Sequence, residues 1–270
     1  MAGVQVSFSI QFSTGIVRSN SRLFKAAENL LTGVSKSYFR SLGVSQSAST
    51  LIWLVPPACG AFLQPLFGRW SDTCRSRKPF VVFGGLGIVI ALVGYAWSPE
   101  LAALISGPGE SQAAASAAAA RLAQLSALFF FVALNVSVQP VQSGLRALVV
   151  DKCHASQQIE ANAWASRINH IAGMISYLAA ASDVAGVFPV GSTQLQALVV
   201  LSIIVVIGSL SVTCCMVTES RKTDFTVKKQ AAGEGVLAAW KLLSLPLRRI
   251  YFAQFFSWFA WFPVLVQITR

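Results

Sequence analysis

A bundle of membrane-spanning α-helices is the fold class this 270-residue sequence predicts, and three observations predict it. Hydrophobic residues make up 54% of the chain, charged ones only 11%, and mean hydropathy is +0.62. A soluble domain carries roughly a quarter of its residues as charges, so there is too little polar side chain here to cover a water-soluble surface. The 21 Lys/Arg and 10 Asp/Glu also fall in gaps between apolar runs. Those runs, charge-free at 41–68, 79–99, 122–145, 184–218 and 250–269, match the roughly 20 residues a helix needs to cross the hydrocarbon. A net charge of +11 would suggest nucleic acid for a soluble protein, but here the cations follow loop positions, which excludes that partner. A β-barrel would alternate in polarity, whereas 198–210 is apolar without alternation.

The spans are expected at 50–68, 80–97, 122–145, 162–181, 195–217 and 250–268. In lipid the backbone must satisfy its own polar groups, so each should be helical. The N-terminus is less regular. Residues 2–14 are apolar but too short to span, and Arg18, Arg22, Lys25, Glu28 and Lys36 then follow too closely for a lipid-facing helix. Residues 38–42 read as the end of a further helix. A basic leading region and a small-residue cleavage site are missing, so the segment does not read as a secretory signal.

Short-loop cations set orientation. The loop at 69–79 carries Arg69, Arg75, Arg77 and Lys78, and 146–161 carries Arg146 and Lys152. The loop at 218–249 carries seven Lys/Arg. These three are expected in the cytoplasm. The Ala/Ser/Gly-rich loop at 98–121 is expected outside and mobile, and the loop near Asp183 lacks cations. No C-x-x-C occurs among the five cysteines, so neither a metal nor a disulfide framework is expected. His170 reads as a hydrogen-bonded bundle residue rather than a metal ligand. No cofactor is indicated.

Candidate chemistry concentrates in three places. In the span at 122–145, Asn135, Gln139, Gln142 and Arg146 are offset by 4, 7 and 11, which places them on one helix face. Leu128, Phe130, Phe131 and Val132 are assigned to the opposite side. A polar stripe is costly in lipid unless it faces a bundle interior or a watery cavity. It therefore lines a path for a polar solute or bonds helix to helix, and both readings stand at this point. The span at 50–68 carries Pro56, Pro57, Gly60 and Pro65, which bend or break a helix, with Trp53 and Gln64 expected on one face. It ends in Gly68-Arg-Trp-Ser-Asp72, a carboxylate at a helix end followed by Arg75, Arg77 and Lys78. Asn162, Trp164, Arg167 and Asn169 open the next span, with Arg167 placed to snorkel or to pair with Asp151. A membrane-embedded enzyme is disfavoured, because no nucleophile–base pairing sits at matched depth.

Several of these strings resemble one family. Gly68-x-x-x-Asp72 with trailing cations resembles the loop between helices 2 and 3 of the major facilitator superfamily. Leu51-Ile-Trp-Leu-Val-Pro-Pro-Ala-Cys-Gly60, with Gln64-Pro65-Leu-Phe-Gly68, looks like the second helix of its sucrose transporter group. Gln142-Ser-Gly-Leu-Arg146-Ala-Leu-Val-Val-Asp151 resembles the end of helix 4. Gln157-Gln-Ile-Glu-Ala-Asn162-Ala-Trp-Ala-Ser-Arg167 is similar to the start of helix 5 in the fungal, general α-glucoside branch. Phe256-Ser-Trp-Phe-Ala-Trp261-Phe-Pro263 looks like helix 7.

The resemblance implies an all-α membrane protein: the N-terminal six-helix half of a major facilitator fold plus helix 7, truncated. Residues 1–48 would hold a disrupted helix 1 with an insertion at 16–37, and 49–217 helices 2–6. Residues 218–249 would form a cytoplasmic central loop and 250–270 the start of the second half. It implies transport of sucrose or a related α-glucoside by alternating access, coupled to protons in the full-length relative, at the plasma membrane rather than the vacuole. The alternative is a transport-incompetent membrane fragment with a scaffold or sensor role. The expected partners are a sugar, protons and the lipid bilayer.

By the same resemblance Trp53, Gln64, Asn135, Gln139, Gln142, Arg146 and Asn162 form the substrate path. Gly68, Asp72 and Arg75 form a gate. Plant relatives hold a carboxylate where Asn135 stands, eleven residues before Arg146, and an amide cannot carry a proton there. Asp151 is then the remaining candidate for proton coupling.

Overall fold

The computed structural model describes residues 35, 37–74, 76–106, 112–152, 157–188, 190–216 and 244–268. Every regular element among them is a helix. The segments read as the first part of helix 1 and most of the insertion, the central loop at 218–243, and Arg75 lie outside the described residues.

Residues 37–41 are helical and end at Gly43, which adopts φ 81°. Its N–H reaches Arg40 O at 2.9 Å and the Val44 N–H reaches Phe39 O at 3.0 Å, the paired bonds of a left-handed glycine cap. Helix α1 (Gln46–Ile52) follows, capped by the Ser45 hydroxyl accepting from Ala48 N. Helix α2 (Val55–Thr73) starts after a turn at Trp53 and Leu54. Pro56 and Pro57 fall in its first turn, where a missing N–H costs nothing, so the prolines end one helix and begin another. Trp53 therefore closes α1 rather than sharing an unbroken helix face with Gln64, as the 11-residue spacing predicts.

Helix α3 (Lys78–Ala96) is apolar on all sides, as suits a helix packed between neighbours. Helix α5 (Gln112–Lys152) lies against α2, α3 and the short α4 (Ser98–Ser106). Helix α6 (Gln158–Ala181), the single turn α7 (Val184–Val187) and α8 (Gln194–Met216) complete this unit, with α8 against α3. Helix α9 (Leu245–Ile268) belongs to a separate unit and is described by itself.

One expectation changes. The stretch at 98–121, expected as a mobile loop, is helical over 98–106 and 112–121. The alanine run at 113–120 explains this, since alanine has the highest intrinsic helix propensity. Among the described residues, three helices are both long and apolar enough to cross a membrane, each over an expected span: Lys78–Ala96, Ala117–Asp151 and Gln194–Cys215. The spans at 50–68 and 162–181 lie on helices of more mixed polarity, which carry Arg69 and Asp72, and Arg167 and His170, and 250–268 is helical.

The core is aromatic at one end and close-packed along α3. Phe39, Tyr95 and Phe131 stack edge to face, with ring centroids 5.8 Å apart for Phe39–Tyr95 and 5.6 Å for Phe39–Phe131. Along α3, glycines let the neighbouring helices approach. A Cβ at Gly84 would lie 2.9 Å from the Ser137 carbonyl of α5, and one at Gly85 2.1 Å from Leu210 of α8. Outward, Phe83, Leu86, Ile90, Leu125, Phe129, Ile204 and Ile207 are exposed. Such a surface would aggregate in water, whereas in a bilayer it is the ordinary solvent-facing one.

Candidate functional site

The site is built on α2 and α5. Gly60 and Gln64 are four apart on α2 and so share a face. Gln139, Gln142 and Arg146 share a face of α5. A Cβ at Gly60 would lie 4.0 Å from Gln139 Oε1. One turn on, Gln64 Nε2 donates to Gln142 Oε1 at 3.1 Å, and Arg146 Nη1 reaches Gln64 Oε1 at 3.5 Å. The contacts occur in the same order along both helices, so α2 and α5 run parallel and their polar faces meet in one seam.

The donor ends of two stripe amides are turned back to the helix. Asn135 Nδ2 donates to Phe131 O and Gln139 Nε2 to Asn135 O, both at 2.8 Å. Gln139 is 4% exposed, and its Oε1 is buried with no hydrogen-bond partner. An unmade bond at such an oxygen is costly, since the site holds little to replace the water it has lost. Arg146 is exposed at the end of the stripe. The side assigned opposite the stripe is partly redrawn. Phe131 is four residues before Asn135 and hence on nearly the same face, and it is core. Phe130 packs on Gly94, while Leu125 and Phe129 form the exposed side.

Beyond the seam the same helices end in a charged cluster. Arg77 at the start of α3 is buried and binds the Asp72 carboxylate of α2. Its Nη1 donates to Ser71 Oγ, and its Nε lies 3.5 Å from Asp151 Oδ2 on α5. One guanidinium thus ties three helices. Arg77 figured in the sequence only as a loop cation; its place just before Lys78-Pro79, where α3 begins, is the signal that could have singled it out. Gly68 was expected to permit close helix approach, yet a Cβ there would meet nothing within 4 Å among the described residues. Asp151, expected to carry the proton and placed to pair with Arg167, lies beside Arg77. Arg167 instead lies over the Trp164 ring at 5.1 Å.

The remaining candidates stand apart from the seam. Trp53 is partly exposed where α1 ends, and Asn162 is exposed on α6. His170 is exposed, with Nδ1 2.8 Å from Ser166 O. Among the described residues no three His, Cys, Asp or Glu side chains gather as a metal site.

At the opposite end of the bundle, Tyr38 hydroxyl donates to Tyr95 O at 3.0 Å and lies 2.6 Å from Ser98 Oγ. Gln196, 2% exposed, donates to Glu100 at 2.7 Å and accepts from Ser192 N at 2.7 Å. These bonds fasten the helix ends at a distance from the α2–α5 seam.

Comparison with known proteins bears on this seam. A family profile described as PUCC protein matches residues 47–262. The general alpha-glucoside permease of Schizosaccharomyces pombe is 31% identical over 248 residues, covering 88% of this chain and 44% of that protein. Sucrose transport protein SUC3 of Arabidopsis thaliana is 31% identical over 166 residues, 60% of this chain and 24% of its own length. Sucrose transport protein SUT2 of Oryza sativa subsp. indica is 23% identical over 259 residues, 86% of this chain and 50% of its own. The chain thus spans half or less of the length of these curated relatives. All three are named as permeases or transport proteins, not as enzymes.

Proposed function

The chain belongs to the PUCC protein family and to the sucrose and α-glucoside transporter group of the major facilitator superfamily, and from that premise we propose that it carries part of the path of a sugar transporter. The observation that supports this best is the seam itself, in which Gln64, Gln142 and Arg146 meet across α2 and α5. Amides and a guanidinium suit a sugar, whose hydroxyls donate and accept hydrogen bonds alike. Asn135 and Gln139 continue the path along α5, and Trp53 and Asn162 contribute at its margins. Transport proceeds by alternating access, with the Asp72–Arg77–Asp151 cluster as the gate at the cytoplasmic end. Gly68 and Arg75 belong to the same gate, and loops 69–79, 146–161 and 218–249 lie on that side.

Transport is coupled to protons. Asn135 cannot titrate, so Asp151 would carry the proton, leaving Arg77 as the gate opens. The membrane is the plasma membrane. The test is uptake of radiolabelled sucrose and maltose by proteoliposomes, with and without an imposed pH gradient. Arg146→Ala is expected to abolish uptake while inserting normally, and undiminished uptake removes Arg146 from the path. Vesicles holding this chain alone separate transport from a membrane scaffold or sensor role.

A further inference from the structure

Gln64 has two acceptors within one helical turn and uses one of them. Its Nε2 donates to Gln142 Oε1, while the buried Gln139 Oε1, three residues earlier on the same α5 face, has no partner. Gln139 Oε1 points toward Gly60, four residues before Gln64 on the same α2 face. No side chain at position 60 blocks the way between them. The other bond of Gln64, to Arg146, is at 3.5 Å the longest in the seam and involves an exposed guanidinium. At that length a hydrogen bond is weak and easily given up.

We infer that Gln64 and Gln139 form a ligand-responsive amide switch: Gln139 is a positioning residue that receives the Gln64 amide when a sugar takes its place beside Gln142 and Arg146. The inference rests on the sugar-path reading above. In the structure Gln64 occupies Gln142 and Arg146, and Gln139 Oε1 has no partner among the described residues. A sugar hydroxyl accepting from Arg146, with another donating to Gln142, displaces Gln64. Its amide then turns one helical turn back and donates to Gln139 Oε1. Occupancy thereby completes a buried bond between α2 and α5 that the empty path lacks, so ligand energy reaches the helix pair that continues to the Asp72–Arg77–Asp151 cluster. Such coupling requires differential interaction with two states, and the orphaned oxygen supplies it.

The test is equilibrium binding of radiolabelled sucrose and maltose to the detergent-solubilised full chain, with thermal unfolding of the sugar-free protein measured alongside. Gln139→Leu is expected to bind sugar about fivefold more weakly, the equilibrium weight of one intramolecular hydrogen bond. Its sugar-free unfolding temperature should hold or rise, because a buried unpaired acceptor has been removed. On a Gln64→Leu background, Gln139→Leu should weaken binding no further. If Gln139→Leu does not insert, Gln139→Met, an unbranched chain of similar length, takes its place. Wild-type affinity in the Gln139 variant, or additive losses in the double variant, overturns the switch and leaves the sugar path intact. A wild-type chain that binds neither sugar overturns the path itself, and the switch with it.

Discussion

Arg77→Met removes a guanidinium that reaches Ser71, Asp72 and Asp151. Its effect follows from how open each partner is. The Arg77 side chain is 9% exposed, Asp72 50% and Asp151 36%. Breaking a fully buried pair costs about 3–5 kcal/mol, because a charge is stranded, whereas an exposed pair is worth about 0–1 kcal/mol. Here two partly exposed carboxylates lose their contact with Arg77 and recover part of their hydration, so an intermediate loss of about 2–3 kcal/mol is expected. The assay is denaturant unfolding of the detergent-solubilised chain, followed by tryptophan fluorescence. Asp151→Asn on the Arg77→Met background should recover part of the loss by removing one of two facing negative charges. Arg77→Lys should recover less than wild type, since an ammonium lacks the guanidinium fork that spans several acceptors. A wild-type midpoint for Arg77→Met, or no recovery with Asp151→Asn, would refute the view that this residue binds the three helix ends together.

Other expectations follow from packing and capping. Gly84→Ala should destabilise by about 1–3 kcal/mol, because its new methyl would meet a backbone carbonyl at 2.9 Å, while Gly68→Ala, with nothing within 4 Å, should unfold like wild type. Comparing the two midpoints separates glycine needed for contact from glycine that merely occurs. Lys78→Ala should cost about 1 kcal/mol, since Lys78 Nζ donates at 2.9 Å to the Cys214 carbonyl of α8. Gln196→Leu strands the Ser192 N–H, which it now receives at 2.7 Å, and frees Glu100; a loss of about 1–3 kcal/mol is expected, read as faster amide exchange at Ser192 and a lower unfolding midpoint.

The sequence carries a good deal of this molecule by itself. Length without charge is a direct physical requirement of the hydrocarbon, so α3, the centre of α5 and α8 were legible from composition and run length alone. The one-face placement of Gln139, Gln142 and Arg146 was legible too, because a 3.6-residue period is a property of any helix. Alanine propensity at 113–120 was also there to read, though a search for apolar spans passes over it.

Only the tertiary structure decides which neighbours those residues meet. The prolines at 56 and 57 announce a distortion, but whether they kink one helix or separate two depends on how the flanking turns close, and here they leave Trp53 on α1. The stripe on α5 allowed either a solute path or helix pairing. It is the approach of α2 that joins Gln64 to Gln142 and Arg146 while leaving Gln139 without a donor. That Arg77 binds Asp72 on α2 and Asp151 on α5 is likewise invisible to spacing, since Asp151 lies 74 positions further along the chain. Hydrophobicity and periodicity act within a segment and are written locally. Hydrogen-bond partnership between segments depends on register and depth, which exist only once the helices have packed.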